Sequence, residues 1–255
     1  MTEEVAVSLR NVSKTFYLSD QTDSSFQKVK SMLFQKLSTK KLEVFKNITV
    51  DIQKGEFFGI VGRNGSGKST LLKLIMESMN SDPGSVIETN GKLIRLALGL
   101  GFDVNLTARD NIYLNGTILG MSMQQIGEKF DELIEFAQLE EFVDTPIKFY
   151  SSGMRSRLAF SVAVHADADI FLIDEFFGGV GDEAFKAKSK AVFEERIIQN
   201  KTIILVSHSL ELIVKNCDRV MVIKDGVGHV FNNPANAIQF HKKSFGRKVT
   251  EINAK

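Results

Sequence analysis

The stretch Gly62-Arg63-Asn64-Gly65-Ser66-Gly67-Lys68-Ser69-Thr70 constrains this chain more than any other. Gly62, Gly65 and Gly67 lack a Cβ, so the backbone between them can wrap closely around an anion and expose successive N–H groups to it. Ile60 and Val61 read as the end of a buried strand, and Leu71 to Met76 read as a helix. A phosphate held by this loop would therefore lie at a helix N-terminus, where unsatisfied N–H groups and the helix dipole favour negative charge. From there Lys68 reaches the outer phosphates, and the Ser69 hydroxyl is placed to ligate Mg²⁺.

A second set of residues supplies hydrolytic chemistry. Ile170-Phe-Leu-Ile-Asp174-Glu175 is an apolar run of buried-strand length that ends in two carboxylates, and an α/β sheet presents ligands at the carboxyl ends of its strands. Asp174 fits a metal shell, and Glu175 fits the orientation and deprotonation of water. Another apolar run, Thr202 to Ser207, ends at His208. A lone histidine is more often structural than catalytic, but this one follows a strand end just as the carboxylates do. Tyr150-Ser151-Ser152-Gly153 reads on its own as a helix N-cap turn, the same device that binds phosphate.

With these motifs in view, the chain resembles the nucleotide-binding subunits of ATP-binding cassette (ABC) transporters over nearly its whole length. Gly62 to Thr70 match the family's Walker A motif, including Asn64, Gly65, Ser66 and Gly67. Tyr150 to Met154 stand where its LSGGQ signature stands, Ile170 to Glu175 match Walker B, Val180-Gly181-Asp182 match the D-loop, and His208 matches the switch histidine. Phe16 falls where the family stacks an aromatic ring on adenine. The resemblance implies a P-loop ATPase fold of the α/β class: a RecA-like core, an antiparallel β subdomain and an inserted α-helical subdomain. It further implies ATP and Mg²⁺, and a homodimer in which Ser151 and Gly153 of one copy, ahead of a helix starting near Met154, face the γ-phosphate held by the other.

Three departures from the family pattern stand out. Ser152 and Met154 replace a glycine and a glutamine of the signature, and Glu175 to Asp182 is one residue longer than usual, which leaves Phe176 to Gly179 without a firm register. Leu96 to Phe102 contains no glutamine where the family has one that ligates Mg²⁺ and senses the membrane partner; backbone, water or a neighbour such as Asp103 must serve instead. Together with Leu106 to Gly116, Phe142 to Met154 and Arg157 to Ala163, the glycine-rich replacement is similar to the subfamily that exports lipid-linked polysaccharides such as capsule, O-antigen and teichoic acid. That likeness covers about residues 5 to 230 and implies two copies of a separate integral-membrane permease, with the glycan met only indirectly and the subunit peripheral on the cytoplasmic face of the membrane. Teichoic acid or another cargo is the alternative. A soluble ABC ATPase of translation or DNA repair is a further one, although such proteins carry two cassettes or a long coiled coil and this chain has neither.

Composition is compatible with this reading. The chain of 255 residues is long enough for one large core or a core plus a subdomain. Its 32 Lys and Arg against 31 Asp and Glu give no global basic field, so no nucleic-acid partner is expected. A single cysteine, Cys217, excludes an internal disulfide. No signal peptide is expected at the N-terminus, and no apolar run approaches the ~20 residues a membrane helix needs. No Asn-Lys-x-Asp motif supports a GTPase.

The expected organisation is a nucleotide-binding domain over 1–240 followed by a short tail over 241–255. Within it, Val5 to Leu9 and Val44 to Ile52 read as strands. Residues 19–42 form a basic amphipathic insertion: Phe26, Val29, Leu33 and Leu37 recur at helical spacing among Lys28, Lys30, Lys36, Lys40 and Lys41. It reads either as a surface helix packed on the core or as a contact to the membrane surface or the substrate's phosphate. Residues 105–160 form the helical subdomain with the signature, its helices expected at Asp110 to Leu119 and Ser122 to Phe136; Ile126, Phe130, Leu133, Ile134 and Ala137 read as core. The tail carries no appended carbohydrate-binding domain of the kind some O-antigen exporters have, so selection by a terminal sugar mark is not expected of this subunit.

Overall fold

The computed structural model describes residues 4–19, 39–96, 98–174, 183–198 and 201–245. The expected basic helix within the insertion, together with Glu175 and the D-loop through Asp182, lies outside the described residues. Six short strands build the main sheet: β3 (Phe57–Gly62), β5 (Leu93–Leu96), β6 (Ile170–Asp174), β7 (Thr202–Val206), β8 (Arg219–Lys224) and β9 (Val227–Phe231), in the order β5-β6-β7-β3-β8-β9. All neighbours run parallel except β8 and β9. Parallel strands need coverage on both faces, which is why these sequences are almost unbroken apolar runs.

Alternate residues of the central strands feed two separate cores. Phe171, Ile173, Ile203 and Leu205 pack on the helical side. Ile170, Leu172, Ile204 and Val206 pack on the other, against Leu71, Leu72 and Ile75 of α1 (Lys68–Ile75) and against the second sheet. That second sheet is antiparallel, order β2-β1-β4, built from β1 (Val5–Ser19), β2 (Thr39–Gln53) and β4 (Val86–Thr89). Phe45 and Phe58 are fully buried between the layers, each contributing roughly 2–3 kcal/mol by removal from water. RecA-like core, antiparallel β subdomain and helical insertion are thus all present, as the resemblance implies.

β1 and β2 are far longer than the expected Val5–Leu9 and Val44–Ile52. Their ladder breaks register between Leu9 and Val12 and again around Lys14, and Asn11 and Asn47 adopt left-handed backbone conformations. Each bulge resets the inward and outward alternation, and the period-two reading that starts at Val5 stops at the shift between Leu9 and Val12. Ser19 and Thr39 to Leu42 therefore belong to this ribbon.

The helical region contains α2 (Ala108–Ile118) and α3 (Met123–Ala137). α2 starts earlier than the expected Asp110. Thr107 is its N-cap and Asp110 closes a capping box, the Thr107 hydroxyl accepting from Asp110 N–H while the Asp110 carboxylate accepts from Thr107. Ser122 and Gln125 repeat the device on α3. α4 (Ser152–His165) begins at Ser152, two residues before the expected Met154, because Ser151 caps it by accepting from Met154 N–H at 3.1 Å. α5 (Glu183–Phe193) and α6 (Leu210–Asn216) follow, and α7 (Pro234–Phe245) runs across residue 240 and packs on β8 and β9. Among the described residues no helix is long and apolar enough to cross a membrane.

Candidate functional site

β3, β7 and β6 are adjacent in the main sheet, so their carboxyl ends bring residues from Gly62, Asp174 and His208 to one edge. There they border a cleft of about 490 Å³ lined by Phe16, Leu42, Val44, Asn64, Gly65, Gly67, Lys68, Ser69, Thr70, Asp174, Val206 and His208. Nine of the residues expected from the sequence are in that lining. Phe16 comes from β1, half-buried and paired in register with Leu42 of β2, with Lys14 Nζ 5.3 Å from its ring centre. The antiparallel ribbon thus supplies one wall and the phosphate loop the floor.

The loop is shaped by close contacts that only glycine permits. A Cβ at Gly62 would stand 2.5 Å from Ser66 Oγ and 2.9 Å from the Ile223 carbonyl. Gly67, the residue before α1, has φ of 96°, and a Cβ there would stand 2.6 Å from Val44 Cγ1. Lys68 is only 7 % exposed, and its Nζ donates to the carbonyls of Gly62 at 2.9 Å and Arg63 at 3.0 Å. The amine is folded over its own loop. Ser66 Oγ is buried without a hydrogen-bond partner, and a buried hydroxyl in that state costs free energy until a ligand satisfies it. The cradle therefore suits a polyphosphate, and the Ser69 hydroxyl with the Asp174 carboxylate suits a hard divalent cation. His208 is exposed at the rim.

Ser151 and Gly153 do not line this cleft. Ser151 and Ser152 are exposed at the N-terminus of α4, while the preceding Tyr150 is buried and its hydroxyl donates to the Phe142 carbonyl at 2.6 Å. Burial pushes that phenol up to about 12, so it stays a donor at any working pH. Glu175 and Asp182 lie outside the described residues.

Three polar residues escaped the sequence reading. Arg95, in the middle of the apolar strand Leu93-Ile-Arg-Leu, donates from Nη2 to Asp174 Oδ2 at 3.0 Å. Asn111 and Asn115 are buried on α2 and hold the glycine-rich segment after β5: Asn111 Oδ1 accepts from Asp103 N, Asn111 Nδ2 donates to the carbonyl of Asp103, and Asn115 Nδ2 donates to the Leu100 carbonyl at 2.6 Å. The signals were there as polar residues inside apolar patterns. The Asp103 carboxylate, one of the candidates for the missing glutamine, accepts from Asn105 N–H at 2.9 Å. A larger cavity of about 710 Å³ at the amino edge of the sheet holds none of the expected site residues; of its charged residues Arg219 pairs with Glu56 and Lys54 with Glu4, and the Asp218 carboxylate accepts from Phe57 N–H.

Comparison with known proteins gives the following. The family described as ABC transporter matches residues 45–178. The chain is 36% identical over 245 residues to the O-antigen export system ATP-binding protein RfbB of Klebsiella pneumoniae, covering 94% of this chain and 99% of that one. It is 38% identical over 244 residues to the teichoic acids export ATP-binding protein TagH of Lactococcus lactis, covering 95% of this chain and only 52% of TagH, so it spans about half that relative's length. A solved ATP-binding subunit of an ABC transporter has the same fold, with a TM-score of 0.66 at 19% identity over 92% of this chain and 93% of that one.

Proposed function

The chain belongs to the ABC transporter family as an ATP-binding ATPase, and from that premise we propose that it drives export of a lipid-linked polysaccharide, capsule or O-antigen, through a separate permease. The observation that carries the reading is the meeting of the phosphate loop, Asp174 and His208 in one cleft, on a chain alike to RfbB over nearly the whole of both. Teichoic acid is the second reading, favoured by the likeness to TagH.

The backbone N–H groups from Gly62 to Thr70 and the Lys68 amine bind the triphosphate, with Lys68 leaving its own loop carbonyls to do so. Phe16 stacks on the adenine. Ser69 and Asp174 would hold Mg²⁺, which when bound would supply positive charge to offset that of the phosphates. Glu175 orients and deprotonates the attacking water, and His208 hydrogen-bonds the γ-phosphate. Ser151, the Gly153 N–H and Asp182 of one copy complete the site on a second copy. ATP then holds two copies together, hydrolysis releases them, and each closure passes to two permease copies at the cytoplasmic face of the membrane.

The decisive experiment is depletion of the protein in its native cell with analysis of carrier-lipid-linked glycans. Accumulation of finished polymer inside the cell is the expected result, and its sugar or polyol-phosphate composition separates the two cargoes. No accumulation overturns the glycan reading.

A further inference from the structure

The carboxylate assigned above to Mg²⁺ already has a cation beside it. Arg95 pairs in register with Leu172 on the neighbouring parallel strand, two residues short of Asp174, so its side chain extends along the carboxyl edge of the sheet to reach Asp174 Oδ2 at 3.0 Å. The two side chains are 33% and 20% exposed, which leaves their attraction less screened by solvent than that of an open surface pair. Arg95 Nε is buried without a hydrogen-bond partner. A guanidinium serving only to hold two strand ends together would be expected to have its buried donors satisfied; this one is paired with Asp174, a lining residue of the cleft, while its Nε is left without a partner.

We propose that Arg95 is a resident counter-charge for Asp174, holding the carboxylate in the nucleotide-free protein and releasing it before Asp174 serves a divalent cation. Arg95 thereby sets the Mg²⁺ concentration at which the protein takes up nucleotide. The inference rests on the assignment of Asp174 as a metal ligand and says nothing about cargo. It gives this chain a metal threshold written on β5, just ahead of the segment that lacks the family's glutamine.

The test is a Mg²⁺ titration of the binding of a fluorescent ATP analogue to the purified full-length protein, repeated with Mn²⁺ and followed by electron paramagnetic resonance. Arg95→Gln and Arg95→Met remove the charge while keeping side-chain bulk, and the half-saturating metal concentration is expected to fall about fivefold, the size of a part-buried ion pair. Arg95→Lys keeps the charge and is expected to stay near the original requirement. An unchanged or raised requirement in a folded neutral variant overturns the proposal, as does a fall in Arg95→Lys equal to that in Arg95→Gln. Failure of both neutral variants to fold also overturns it, since Arg95 would then be a support for the strand edge alone. Asp174→Asn separates the two assignments: if it leaves the metal requirement unaltered, the ligand role of Asp174 fails and takes the proposal with it.

Discussion

At the scale of single residues, the phosphate loop was legible because its glycines are demanded by geometry, and they differ in what they tolerate. Ala at Gly65 would meet nothing within 4 Å and would carry only the strain of φ near +79°, a cost of roughly 1–2 kcal/mol. Ala at Gly62 would collide with Ser66 Oγ and with a strand carbonyl of Ile223. The hydroxyl can rotate away, but the carbonyl belongs to the β3–β8 ladder and cannot, so the loop itself must shift by some tenths of an ångström. Gly62→Ala is therefore expected to weaken ATP-analogue binding at least tenfold and Gly65→Ala distinctly less, measured by fluorescence titration of both variants; equal losses would place the constraint in backbone conformation rather than in packing. Arg95 was not legible in the same way. An arginine in a four-residue strand signals a polar edge, but only the parallel register with β6 reveals that its reach ends at Asp174.

At the scale of elements, the short strands of the main sheet were readable as apolar runs because both of their faces are covered, whereas the ribbon of β1 and β2 was only half readable because its bulges break the alternation. The start of α2 was displaced because Thr107 caps it from outside the apolar pattern, whereas Ser122 was read at the start of α3 and caps it one residue ahead of Met123. What no periodicity revealed is how α2 is tied to the sheet. Asn111, fully buried, exchanges hydrogen bonds with both the N–H and the carbonyl of Asp103, at 2.8 Å and 3.0 Å, and donates to the Leu106 and Thr107 carbonyls. It fixes the segment that follows β5 onto the helical subdomain. Asn111→Ala removes the partner of the Asp103 N–H and carbonyl, while the Leu106 and Thr107 carbonyls keep the N–H groups of Ile147 and Asn111, and is expected to cost about 1–2 kcal/mol of stability, read by chemical denaturation. Because Asn111 touches neither the cleft nor Asp174, ATP hydrolysis by the purified protein should persist while glycan export in cells falls. Export that survives undiminished would mean that motion at the nucleotide passes to the permease by another route.

At the scale of the whole molecule, the separation of the phosphate loop from the N-terminus of α4 bears on the proposed assembly. The cleft contains the phosphate loop, Asp174 and His208, but neither Ser151 nor Gly153 borders it. The capped N-terminus of α4 stands exposed, with its Ser151 hydroxyl already accepting from Met154 N–H. A helix N-terminus with exposed N–H groups has anion affinity that this chain does not use on its own nucleotide. Two copies arranged head to tail by a two-fold axis would each present α4 to the other's cleft, making two equivalent sites from one self-complementary interface. ATP would then belong to both subunits, and its γ-phosphate would be what holds them. If Glu175 is the base, Glu175→Gln keeps the γ-phosphate in place, and the variant in ATP and Mg²⁺ is expected to run at twice the chain's mass in light scattering, returning to monomer when ADP replaces ATP. Adding Ser151→Ala and Gly153→Asp to Glu175→Gln removes the partner's contribution without touching the cleft and should abolish the dimer while leaving single-site nucleotide binding. A Glu175→Gln protein that stays monomeric in ATP, with nucleotide bound, would mean that α4 docks on something other than a second copy.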